Sequence, residues 1–294
     1  MNIFHKVALQ GLKKNRTRTF VTVIGVVLSA TLFTTVATFG TSLIQYLIDG
    51  EIDKYGSWYI DFVNVDSDFI QERMGDAGVT DTVVFENIGY ALLDGAKSTE
   101  KPYLFLAGFT DETFERLPVT LISGRLPEND TEIMIPNHVS VKAGVRISVG
   151  EQLNLAVGSR VANGNVLTQH DPYNPEEMLN IVGNKTYTVV GTYERAGFEE
   201  HDSPGYTLIT RTKTDDMTGW YNMFITLDSP QKVKEYGKRF AGSVPFVLNE
   251  DVLRFYGVSK NTLFNAVMFS VGGILAAIIM IGSVFLIYNS FHIS

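Results

Sequence analysis

Apolar and polar positions alternate with two different rhythms along the chain, and a long uncharged run stands at each end. From Thr19 to Ile48 there is no Asp, Glu, Lys or Arg, and the densest part runs from Phe20 to Phe33. As a helix the run would reach about 45 Å, beyond the ~30 Å of bilayer hydrocarbon. The pattern therefore predicts a membrane span that continues as a stalk. Asn261 to Ser294 is again uncharged, and Val267 to Tyr288 is long enough to cross.

Between the two runs the rhythm shortens to strands and turns. Strands are predicted at Trp58–Val65, Val83–Leu93, Pro102–Phe109, Gln152–Val157, Thr186–Glu194, Gly205–Thr210, Trp220–Leu227 and Val244–Asn249, with another after the turn that opens Gly124–Pro136. The pair Val83–Leu93 and Pro102–Phe109 reads as a hairpin around a polar turn. Short helices are expected at Asp68–Met74, Asp111–Arg116 and Ser229–Phe240, the last with Ser229 as N-cap and Pro230 at its first position. Ser159–Lys185 is the most polar and irregular stretch and reads as a long loop.

Charge orients the ends. Lys6, Lys13, Lys14, Arg16 and Arg18 precede the first run without a single acid, while Asp49, Glu51 and Asp53 follow it. Basic residues stay on the cytoplasmic side, so Lys13, Lys14, Arg16 and Arg18 are assigned as the inner membrane anchor and residues beyond the run are placed outside. Ile3, Phe4, Val7, Ala8 and Leu12 gather on one side of an amphipathic helix that suits the inner bilayer surface. The run is too long for the apolar core of a cleaved signal peptide. Gly25 with Ser29, Gly272 with Ala276, and Gly273 with Ala277 form small-x-x-x-small pairs, the spacing that lets helices approach closely in lipid.

All 32 acidic side chains, and all but five of the 24 basic ones, lie between Asp49 and Lys260. An acidic middle argues against nucleic acid as a partner. The chain has no Cys, so it has neither disulfides nor thiolate chemistry, and the outer region must be held by its core. No phosphate-binding loop, nucleophile elbow or His-Glu-x-x-His occurs. The cluster Glu199-Glu200-His201-Asp202 reads as a solvated turn and not as a metal site. No catalytic residue, cofactor or metal is expected. Neither span holds an ionisable residue, which favours a chain that transmits motion over one that lines a polar pore.

In order, these stretches resemble the MacB-like and FtsX-like permease subunits of type VII ABC transporters. Ala8–Phe20 with Ile24-Gly-Val-Val27 is similar to the family's N-terminal helix and first span. Leu121-Ile-Ser-Gly-Arg-Leu-Pro-Glu-Asn129 with Glu132-Ile133, Val149-Gly-Glu-Gln-Leu-Asn-Leu155 and Tyr187-Thr-Val-Val-Gly191 are similar to its extracytoplasmic domain, and the last run to the start of its FtsX-like membrane domain. The resemblance implies an α+β membrane protein of the bacterial plasma membrane. It would comprise a cytoplasmic amphipathic helix (1–18), a transmembrane helix and stalk (19–48), a MacB-like extracytoplasmic domain (49–260) and a second stalk and transmembrane helix (261–294). It also implies a homodimer or paired permease in the lipid bilayer, driven by a cytoplasmic ABC ATPase subunit. The outer domain would move against a peptide, lipoprotein or wall-enzyme partner. Family members continue with a charged segment and two more spans, so the sequence reads as the front of such a permease. The other reading is a two-pass receptor or regulator without an ATPase.

Overall fold

A computed structural model describes residues 16–212, 217–240, 242–258 and 262–292. The chain divides into two compact units. One holds the residues up to Asp49 and from Ser259 onward, and the other is Gly50–Val258.

The first unit is helical. Helix α1 covers Arg16–Tyr55, and its part Thr19–Tyr55 is long and apolar enough to cross a membrane. The last helix, Thr262–His292, contains the apolar stretch Ser270–Phe285. Ser and Thr inside these helices turn back on their own backbone. The hydroxyls of Thr34, Thr41, Ser270 and Ser283 each donate to a carbonyl one turn earlier.

The second unit is a mixed α+β fold built on one 11-stranded sheet. In chain order the strands are β1 (Ile60–Val65), β2 (Val79–Leu92), β3 (Tyr103–Phe109), β4 (Leu121–Gly124), β5 (Glu132–Pro136), β6 (Gln152–Ala162), β7 (Asn165–Leu167), β8 (Met178–Tyr193), β9 (Gly205–Arg211), β10 (Tyr221–Leu227) and β11 (Phe246–Leu248). Short helices α2 (Ser67–Met74), α3 (Asp111–Arg116) and α4 (Val233–Lys238) lie between them, and α5 (Glu250–Leu253) follows β11.

Six strands curl into a barrel in the order β2-β3-β9-β5-β8-β6. The circle closes through a single ladder pair, Tyr90 with Gly158. Two of its pairings are parallel, β3 with β9 and β5 with β8. Each of the six strands contributes to one core: Ala91, Leu104, Leu208, Ile133, Val189 and Leu155 all belong to it. Alternate residues of β3 face the other way. Tyr103, Phe105, Ala107 and Phe109 join an aromatic core with Phe85, Phe224 and Trp58. With both faces covered, every residue of β3 is buried.

Beyond β2 the sheet continues through β10 and β1 to β11. There Ile60, Phe62 and Met223 pack with Ile70 of α2, Tyr236 of α4 and Val252 of α5. Strand β2 thus serves both the barrel and this flank.

The strand rhythm, the hairpin and the helices at Asp68–Met74 and Asp111–Arg116 appear as read. Three expectations are corrected. Residues 159–185 are not one loop. β6 runs on to Ala162, β7 follows, and β8 begins at Met178, so only Thr168–Glu177 is irregular. The outer half of β8 was hidden because its side chains, Ile181 and Val182 among them, are exposed and do not alternate, yet ten residues of β6 pair with β8. The helix predicted from Ser229 opens as a 3-10 turn over Pro230–Lys232, and the Ser229 hydroxyl bonds Gln231 instead of capping. Glu199, read as solvated, is buried.

Candidate functional site

Three strands bulge where β2 passes from the flank to the barrel. The β2–β3 register slips between Asn87 and Gly89, the β1–β10 register between Phe62 and Val65, and the β6–β8 register between Val157 and Gly158. Asn64 takes a left-handed conformation at φ 57° to make the second slip. The bulges open a cavity of about 530 Å3. Phe85, Phe105, Phe198 and Trp220 give it an aromatic wall, while Asn87, His170 and Asn222 give it polar atoms.

A strap, Thr168–Glu177, carries one side of this cavity. Arg160 fixes it with all five guanidinium hydrogens. Two go to the Glu177 carboxylate at 2.8 Å each, and the others to the carbonyls of Thr168, Asp171 and Pro172. The guanidinium also lies over the rings of Tyr90 and Tyr103. Both partners of the ion pair are fully buried at the side chain. Burial opposes the Glu177 charge, but Arg160 overcomes it and holds the carboxyl below its usual range. Next along the strap, Gln169 makes paired bonds to the backbone of Gly205.

His170 enters from the strap between Asp61 of β1 at 3.7 Å and Glu200 at 3.4 Å. Burial disfavours an imidazolium there, yet the two carboxylates outweigh it and push the His170 pKa up to about 10. Asp61 in turn accepts from Asn222 Nδ2 at 2.9 Å, and Asn222 Oδ1 accepts from Asn87 Nδ2 at 2.9 Å. A second buried group lines the cavity. Glu199 accepts from Lys101 Nζ at 2.7 Å, His138 Nε2 at 2.8 Å and the Thr207 amide at 2.9 Å. Burial works against its charge, but His138 and Lys101 prevail and bring its pKa to about 2. Among the described residues no group of three or more His, Asp or Glu is placed to hold a metal ion.

None of these groups was singled out from the sequence as functional. Their partners are distant in the chain, and the one local hint was the polar run His170–Glu177, which marked the strap without revealing its clasp.

The residues that were singled out lie elsewhere. Lys13 and Lys14 are outside the described residues, Arg16 is exposed, and Arg18 is in α1 with its side chain outside the described part. Gly25 is buried and Ser29 half-buried, while Gly272, Gly273 and Ala277 are exposed and Ala276 is half-buried. A Cβ placed on Gly25, Gly272 or Gly273 would meet nothing within 4 Å.

The three family-like stretches of the outer domain converge on one barrel corner. Gly124 pairs with Gly191, and a Cβ on Gly124 would sit 2.2 Å from the carbonyl oxygen of Val190. Arg125 grips Glu132 through both terminal nitrogens, and the Gly150 amide donates to Val189. These motif residues build the corner where β4, β5 and the β6 turn meet β8, and they are apart from the cavity.

No protein-family model and no curated protein matches the sequence. Among solved structures the chain is similar to the extracellular domain of the noncanonic ABC-type transporter YknZ from Gram-positive bacteria. That match has 12% identity and a TM-score of 0.35, and it covers 65% of this chain and 98% of that one. The chain is also similar to the periplasmic region of MacB from Actinobacillus actinomycetemcomitans, at 11% identity and a TM-score of 0.36, covering 72% of this chain and 97% of that one.

Proposed function

We propose that this chain is a non-catalytic, permease-type subunit of an ABC transporter. In this reading α1 and the last helix cross the plasma membrane, Lys13, Lys14, Arg16 and Arg18 anchor the inner face, and residues 49–260 stand outside. Cytoplasmic ATP hydrolysis by a partner subunit moves the two helices, and they relay that motion to the outer sheet. Small residues on the helices (Gly25, Ser29, Gly272, Gly273, Ala276 and Ala277) are the contact for a second permease chain.

One observation carries this reading: an α+β unit is preceded and followed in sequence by long apolar helices, and its family-like motifs meet at one structural corner. Buried ionisable residues belong to that unit, while the described parts of both apolar runs have none, which suits motion more than ion passage. Gentle solubilisation of the full chain from its own membranes, followed by affinity purification, tests the proposal. A stoichiometric nucleotide-hydrolysing partner is expected. Its absence, under conditions that keep other ABC transporters whole, would remove the permease assignment.

A further inference from the structure

We infer that the cavity at the β2 fork is a binding site for an aromatic group tipped with a hydrogen-bond donor, such as an indole or a phenol. The polarity of its inner wall follows from one backbone amide. The Asn64 amide donates to Asn222 Oδ1 at 3.4 Å, so the Asn222 carboxamide presents that oxygen inward and turns its Nδ2 toward Asp61 Oδ2. That leaves Asn222 Oδ1 to accept from Asn87 Nδ2. The relay therefore ends on Asn87 Oδ1, a buried acceptor with no hydrogen-bond partner in the protein. Asn87 lines the cavity, and an unmet buried acceptor there selects for a donor.

The rest of the cavity suits an aromatic body. Phe85, Phe105 and Phe198 offer faces and edges, and at about 530 Å3 the space falls within the range of small-ligand sites. Val166 and Trp220 are lining residues more than half exposed, so the cavity is reachable from solvent. The lining charges are of both signs, Glu86 and Glu199 with His170 and Lys185, so they select no ion, and the Asn87 acceptor sets the preference. A donor-tipped aromatic could arrive as a free small molecule or as a Trp or Tyr side chain on a peptide.

A matched pair of probes separates donor recognition from greasiness. The full chain in detergent is titrated with 5-fluoroindole and with 5-fluoro-1-methylindole, followed by fluorine NMR and corrected with empty micelles. The donor-bearing probe should bind about tenfold or more tightly than its methylated partner. Equal binding of the two, or binding of neither, overturns the inference. In Asn87→Leu the preference should collapse toward unity, and a preference that survives in this variant overturns the role of Asn87. Because the wild-type comparison stands alone, loss of folding in the variant does not decide the matter. Tighter binding of N-acetyl-Ala-Trp-Ala-amide than of indole identifies a peptide side chain as the natural occupant, and binding of indole alone identifies a free small molecule. The outcome is independent of the ATPase co-purification.

Discussion

Arg160 is fully buried and has no water-facing donor left, so its cost and its benefit rest on the same few contacts. Removing Glu177 leaves a charge in the interior. Glu177→Ala should lower unfolding free energy by about 3–5 kcal/mol, read from urea titrations. Arg160→Met with Glu177→Leu should lose less than the single change, because no unpaired charge remains. Gly124 poses a steric problem of another kind. It sits at φ 78°, and Gly124→Ala drives a methyl into the Val190 carbonyl. A loss of about 2–4 kcal/mol is expected, and an unchanged urea midpoint would sink this account of the corner. At this scale the sequence was legible only in part. Gly124, Arg125 and Glu132 stood out within a motif. Glu199 looked like one more charge in a surface turn because the residues that bury it, Lys101 and His138, lie far away in the chain.

The strap is the element in which charge and fold meet. His170 fastens it while protonated, and its folded pKa of about 10 lies above the ordinary 6.5. That contribution is complete below about pH 6.5 and fades as pH rises through about 10. Protection of the strap amides, taken as the observed exchange rate against the intrinsic rate at each pH, should therefore fall toward pH 10, and His170→Gln should remove most of that fall. Glu199 has the opposite sign. Its folded pKa of about 2 lies below the ordinary 4.5, so its contribution holds above pH 4.5 and is lost as pH falls toward 2. Strands with one buried face were easy to find by alternation. β8 was found only in its inner half, because the residues from Asn180 to Thr186 face solvent and are held extended by their ladder with β6.

For the whole molecule, the α+β class and the long apolar N-terminal helix were readable from charge and periodicity. Barrel closure was not, since its single ladder pair joins residues that no local pattern links. The absence of Cys makes the proposed topology simple to test. A single Cys at Val141 or Val182, both more than four-fifths exposed, would be the sole thiol in the chain. A membrane-impermeant maleimide should label either site on intact cells. Labelling only after lysis would place the sheet unit inside. Gly273→Leu should weaken self-association in a membrane dimerisation assay, and undiminished association would remove Gly273 from the proposed contact.

The sharing of β2 between barrel and flank also sets an order in time. β1 is the first strand to leave the ribosome, yet its ladder partners are β10 and β11, the last two. Ile60 waits for Ile225 and Leu248. At about 5–20 residues per second the gap is of order ten seconds or more, during which a strand rich in Ile, Phe and Val has no native neighbour. The barrel strands β2 and β3 are close in sequence and can pair early, so the newborn chain passes through a stage with a hairpin formed and its flank unmade. A chaperone or the membrane surface has its longest opportunity to hold β1 in that interval.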